Sequence, residues 1–185
     1  KPIYYGWWIL IGAIIVQFLA ISVGQMVSGV FLEPVVTDLG IKVWQFSAAI
    51  SVSTAMGGIA LIFIGPTVDR IGPRRIMLAG ALICSVGLIG ISLQSKFWQF
   101  FMLQMLSSAF GWTLFGPLVI SPIITKWFVV KRGWALAIGS IGVSLGGIIT
   151  PITMTAIVDM FNWRIGYSIL AAVVFVFIPP IALIM

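Results

Sequence analysis

Charged residues fall in tight groups along this chain, and the stretches between the groups are apolar. Six charge-free runs result, at 2–32, 43–68, 76–95, 97–125, 133–158 and 165–185. The shortest has 20 residues and the longest 31. A helix rising ~1.5 Å per residue needs ~20 apolar residues to cross a ~30 Å hydrocarbon layer. Each run therefore predicts one membrane-spanning helix, and together they hold 153 of the 185 residues. The expected fold is an all-α membrane bundle over residues 1–185, with spans near 7–32, 44–67, 76–94, 98–125, 134–157 and 165–185. The loops are short. The first, 33–42, carries Pro34 and Gly40 as breakers; the others fall at 69–75, 95–96, 126–132 and 159–164. None is long enough to fold as a separate module.

Composition removes the other classes. The chain is 61% hydrophobic and 8% charged, where a soluble domain is about 25% charged. The same apolar content excludes intrinsic disorder. The net charge of +6 has no broad solvated face on which to form a nucleic-acid surface, so no nucleic-acid partner is expected. Loop charge sets orientation instead. With the amino terminus in the cytoplasm, Lys1, Arg70, Arg74, Arg75, Lys126, Lys131 and Arg132 lie inside. Lys42, Lys96 and Arg164 lie outside, with Glu33, Asp38 and Asp159 beside them. This bias predicts a multi-pass protein of the cell membrane with both ends cytoplasmic. The chain opens on Lys rather than Met, which suggests a trimmed start. There is no His, and the carboxylates sit only in loops. The residues of acid–base, triad and metal chemistry are thus missing. No enzyme activity, metal or cofactor is expected. The single Cys84 reads as a small apolar packing residue.

Trp7, Trp8, Trp44, Trp98, Trp127, Trp134 and Trp163 fall at run ends, where indole sits at headgroup level. Trp112 lies deep in the fourth run and suits either a cavity wall or helix packing. A faint repeat runs at an offset of 90 residues. Val68-Asp69 with Arg74 matches Val158-Asp159 with Arg164, and Trp8/Trp98, Trp44/Trp134 and Gly57/Gly147 also match. Ninety residues are three spans, so the matched loops lie on opposite membrane faces. That is the pattern of a 3+3 inverted repeat.

The second loop reads Gly65-x-x-x-Asp69-Arg70-x-Gly72-x-Arg74-Arg75. Orientation alone needs no acid among three arginines. An Asp there can form breakable charge-assisted pairs. The string resembles the signature between spans two and three of the major facilitator superfamily. The resemblance implies the amino-terminal half of a twelve-helix transporter, with a carboxy-terminal six-helix half beyond this chain. It also implies that Asp69, Arg70 and Arg74 form a cytoplasmic gate. Trp127-Phe128-x-x-Lys131-Arg132-Gly133-x-Ala135, Asn162-Trp163-Arg164 and the opening Gly6-Trp7 resemble the monocarboxylate and oxalate/formate branch. By that resemblance the chain is expected to carry a small organic anion. Two positions depart from the family. Ser107 stands where many facilitators have a span-four Arg, and Gln25 stands where monocarboxylate carriers have a span-one Lys.

A polar route must use the few polar side chains inside the runs. The candidates are Gln17, Ser22, Gln25 and Ser28 in span one, Ser51 and Thr54 in span two, and Trp112 in span four. Ser22, Gln25, Ser28 and Gly29 would share one side of an unbroken helix. Interhelical bonding or hydroxyl back-bonding to carbonyls would explain the same residues without a solute. In span four, Pro117 and Pro122 would bend the helix. In span five, Gly139, Gly142 and Gly146 allow close helix packing, expected against the absent half. No acid or base lies in any run, so an anion's charge partner would have to lie outside these 185 residues.

Overall fold

The computed structural model describes residues 6–184, except the side chains of Gln25 and Met26. Among the described residues six helical spans are long and apolar enough to cross a membrane. They are Gly6–Leu39, Val43–Ile71, Pro73–Leu93, Phe97–Trp127, Arg132–Met160 and Trp163–Ile184, called spans one to six below. Each overlaps one charge-free run and extends at most three residues past either end of it, except span one, which continues seven residues further, to Leu39. Pro34 does not break span one, which continues helically to Leu39. The stop comes at Gly40, whose φ of 60° is the left-handed cap that glycine adopts without strain. Between spans two and three the chain turns within a single residue, Gly72, at φ 91°. Pro73 follows as the first residue of span three, where its missing N–H costs nothing.

The spans pack in a pattern consistent with the repeat. Spans three and six lie together along their length. Span one packs on span five, and span two on span four. Exchanging one with four, two with five and three with six maps these pairs onto themselves. The architecture is thus the six-helix, three-plus-three bundle. Its core holds Phe31, Phe46, Phe100 and Phe115, all fully buried. Phe31 stacks on Tyr167 at 4.2 Å and Phe46 on Phe100 at 5.4 Å between centroids. Spans two and five are the least covered. Each leaves an apolar face outside, with Ile59 and Ile62 on one and Ile149 and Ile152 on the other. These are the same positions under the 90-residue offset.

Three of the described spans are interrupted: span five turns at Ser140, between Arg132–Gly139 and Ile141–Met160, and the other two, broken midway, are repeat mates. Span one breaks at Gly24, between helical segments Gly6–Val23 and Gln25–Leu39. Ser22 and Ser28 therefore lie on two segments, not on one continuous face. Span four changes to a π-helical turn over Leu106–Gly111 and a 3-10 turn over Trp112–Leu114, and resumes at Pro117–Trp127. The interruption precedes Pro117 rather than following from it. Pro117 starts the second segment, after Gly116 in an extended conformation.

Candidate functional site

The interruption in span four sits beside a cleft of about 370 Å³. Ser53, Thr54, Gly57, Gly58 and Leu61 form its span-two wall. Ser108, Trp112, Thr113, Gly116, Pro117 and Leu118 form the span-four wall, and Ile21 closes it from span one, one turn before the Gly24 break. The half-buried indole of Trp112 lines the cleft from the 3-10 turn that follows the π-helical segment. The hydroxyls are committed locally. Ser53 Oγ donates to the Ala49 carbonyl at 2.7 Å, Thr54 Oγ1 to that of Ile50 at 2.9 Å, and Thr113 Oγ1 to that of Ser108 at 2.6 Å. Ser108 Oγ accepts from Gln104 Nε2 at 3.3 Å. No charged side chain lines the cleft among the described residues.

Of the sequence candidates, the structure brings Thr54 and Trp112 together here. It scatters the rest. Ser51 is exposed on another side of span two. Gln17 is buried near span five, with its Nε2 3.2 Å from where a Cβ on Gly139 would stand. Ser22 Oγ and Thr150 Oγ1 lie 2.6 Å apart, tying span one to span five, and Ser22 also donates to the Phe18 carbonyl. Ser28 borders a small void with Gln104 and Tyr167. The side chain of Gln25 lies outside the described residues. Ser53 and Gly58 were not singled out from the sequence. The pointer to Gly58 was spacing, since Thr54, Gly57, Gly58 and Leu61 recur at helical i+3 and i+4 intervals.

The span-five glycines face span one, not outward. A Cβ on Gly142 would collide with the Ile14 carbonyl oxygen, and one on Gly146 would stand 2.8 Å from that of Phe18. Ser107 is buried against span three, with its Cβ only 2.9 Å from a Cβ built on Gly87. An arginine has no room there.

At one end of the bundle, Asp69, Arg70 and Arg74 are all exposed. At the opposite end, Arg164 is engaged on several sides. Its Nη2 donates to Asp38 Oδ2 at 2.9 Å, and its Nη1 to the carbonyls of Gln94 and Ser92 at 2.7 and 3.1 Å. The guanidinium lies 4.6 Å from the ring centroid of Trp163. That indole donates to the same Asp38 oxygen at 3.2 Å. Trp163 is therefore buried inside this clasp and is not a headgroup anchor, whereas Trp7, Trp8, Trp44, Trp98, Trp127 and Trp134 are exposed.

Comparison with known proteins places this architecture. The family model for the Major Facilitator Superfamily matches residues 13–185. An "MFS-type transporter" of Gibberella moniliformis is 36% identical over 109 residues, covering 57% of this chain and 24% of the relative. The "Riboflavin transporter MCH5" of Saccharomyces cerevisiae is 32% identical over 120 residues, 63% of this chain and 22% of the relative. The "Multidrug resistance protein MdtG" of Proteus mirabilis is 32% identical over 152 residues, 79% of this chain and 37% of the relative. In each case the match spans well under half the relative's length.

Proposed function

The chain belongs to the major facilitator superfamily, and on that premise we propose that it supplies one six-helix half of a secondary active transporter for small organic anions. Two six-helix bundles would rock about the solute so that the site opens to each side in turn. The observation that carries this reading is the cleft at two interrupted helices. Spans one and four, equivalent in the repeat, both lose regular structure at mid-span and both border it. Irregular backbone at membrane depth is tolerated where it lines a cavity. The anion assignment rests on the strings at Trp127–Ala135 and Asn162–Arg164, which resemble monocarboxylate and oxalate/formate carriers. Its charge partner would come from a second half. In this reading both termini are cytoplasmic, and Asp69, Arg70 and Arg74 gate the cytoplasmic side against that half.

A second reading, an uncharged amphipathic solute, is favoured by one observation: no cation lines the cleft among the described residues. The relatives named for riboflavin and for multidrug resistance are in keeping with it. A panel of labelled solutes separates the two. The intact protein in liposomes, driven by a pH gradient or by counter-substrate, should take up lactate, pyruvate, oxalate, formate or benzoate. Uptake of riboflavin alone would select the second reading.

A further inference from the structure

We infer that the solute carries a flat aromatic ring, and that this ring, rather than any carboxylate, occupies the cleft between spans one, two and four. The inference rests on the transport reading above and narrows its substrate class.

Size is the first reason. A cleft of about 370 Å³ falls in the range of roughly 300–1,000 Å³ that drug-sized ligands fill. Formate or oxalate would leave most of it empty. Polarity is the second. A carboxylate needs donors or a cation, and an unpaired buried charge is strongly disfavoured. Here Ser53, Thr54 and Thr113 spend their hydroxyl protons on carbonyls of their own helices. They turn oxygen, not hydrogen, toward a guest. A carboxylate in the cleft would meet these acceptors, no cation among the described lining residues, and as donors the Ser108 hydroxyl and the Trp112 indole N–H, too few to replace its hydration. A ring would meet apolar walls and the indole of Trp112, against which it can stack or pack edge-on.

Gly58 is the third reason. Its neighbour Gly57 is closed in, since a Cβ there would stand 3.2 Å from Thr113 Oγ1. A Cβ on Gly58 would have nothing within 4 Å, although Gly58 is part of the cleft wall. Packing therefore does not require glycine at 58, and mid-helix glycine weakens a helix. The missing side chain leaves room for a guest. Gly58 is a specificity-determining residue in this account.

The test uses the intact protein in liposomes with labelled benzoate, oxalate and formate. Benzoate uptake should saturate. Gly58→Leu should raise its KM about tenfold or more, and Gly58→Ala less. Trp112→Leu should raise it up to about tenfold, the scale of one aromatic contact, and Trp112→Phe, which keeps a smaller ring, by less than Trp112→Leu. Gly58→Leu should leave thermal stability unchanged; if it does not fold, Gly58→Ala and Trp112→Leu carry the test. Benzoate uptake indifferent to Gly58→Leu, Gly58→Ala and Trp112→Leu would overturn the inference, leaving the cleft to a lipid chain. Preference for oxalate or formate, unaffected at position 58, would overturn it and leave transport standing. Uptake of none of the three would remove the transport reading, and the inference with it.

Discussion

Arg164 shows how much one side chain can organise at a helix end. It closes the last carbonyls of span three, pairs with Asp38 in the last turn of span one and lies over Trp163 of its own helix. Helix carbonyls at a C-terminus lack intrahelical donors, and a guanidinium supplies several in a fixed fork. The ion pair itself is about one third to one half exposed, so its own worth is under about 1 kcal/mol. The carbonyl bonds and the ring contact add to that. Arg164→Met should therefore destabilise the protein by about 2 kcal/mol, and Asp38→Asn by less than about 1 kcal/mol. Thermal unfolding of both variants in detergent checks the order. Equal losses would mean that the ion pair alone matters. The sequence marked Arg164 through its match to Arg74, but not its partners. Asp38 is 126 positions away, and only the fold brings the two loops together. The same limit explains the misplacement of Trp163, whose position at a run end reads the same whether its indole faces lipid or an aspartate.

At the scale of helices, the span-five glycines fix how spans one and five cross. The i, i+3, i+7 spacing of Gly139, Gly142 and Gly146 was plain in the sequence, while the partner helix was not, because a smooth helix face fits any neighbour. The contact is backbone on backbone at Gly142 and Ile14, and a carbonyl cannot swing aside as a long side chain can. Gly142→Ala should thus cost about 1–3 kcal/mol by overpacking. Gly147→Ala, where a Cβ meets nothing within 4 Å, should be neutral or stabilising by up to about 1 kcal/mol. Unfolding midpoints of the pair decide this; a harmless Gly142→Ala would mean that the crossing is loose. The interruptions in spans one and four were less legible. Gly24 and Gly116 sit in long apolar runs, and a lone glycine in such a run does not say whether the helix breaks. Pro34 erred the other way, because a proline can be carried inside a membrane helix when its neighbours satisfy the freed groups.

For the whole molecule, the number of spans was legible because bilayer thickness sets the length of each apolar run; the repeat showed in residues matched 90 positions apart, and the family in the resemblance carried by the string from Gly65 to Arg75. The cleft was not, since it depends on which faces of three separate helices meet. Only Thr54 and Trp112 among the candidates reached it. In the proposed cycle Asp69, Arg70 and Arg74 act between bundles, which suits their exposure within this one. Asp69→Asn should then favour the cytoplasm-open state. With Cys84→Ser and Ser121→Cys, labelling from the cytoplasmic side by an impermeant maleimide should speed up several-fold. An unchanged rate would leave the gate without support.

The central claim is carriage by alternating access, and counterflow tests it most directly. Liposomes holding the intact protein and a high internal concentration of unlabelled benzoate are diluted into trace labelled benzoate. A carrier that must rebind solute to return predicts a transient accumulation of label above the external concentration. Monotonic equilibration, as through an open pore, or no protein-dependent entry would contradict it.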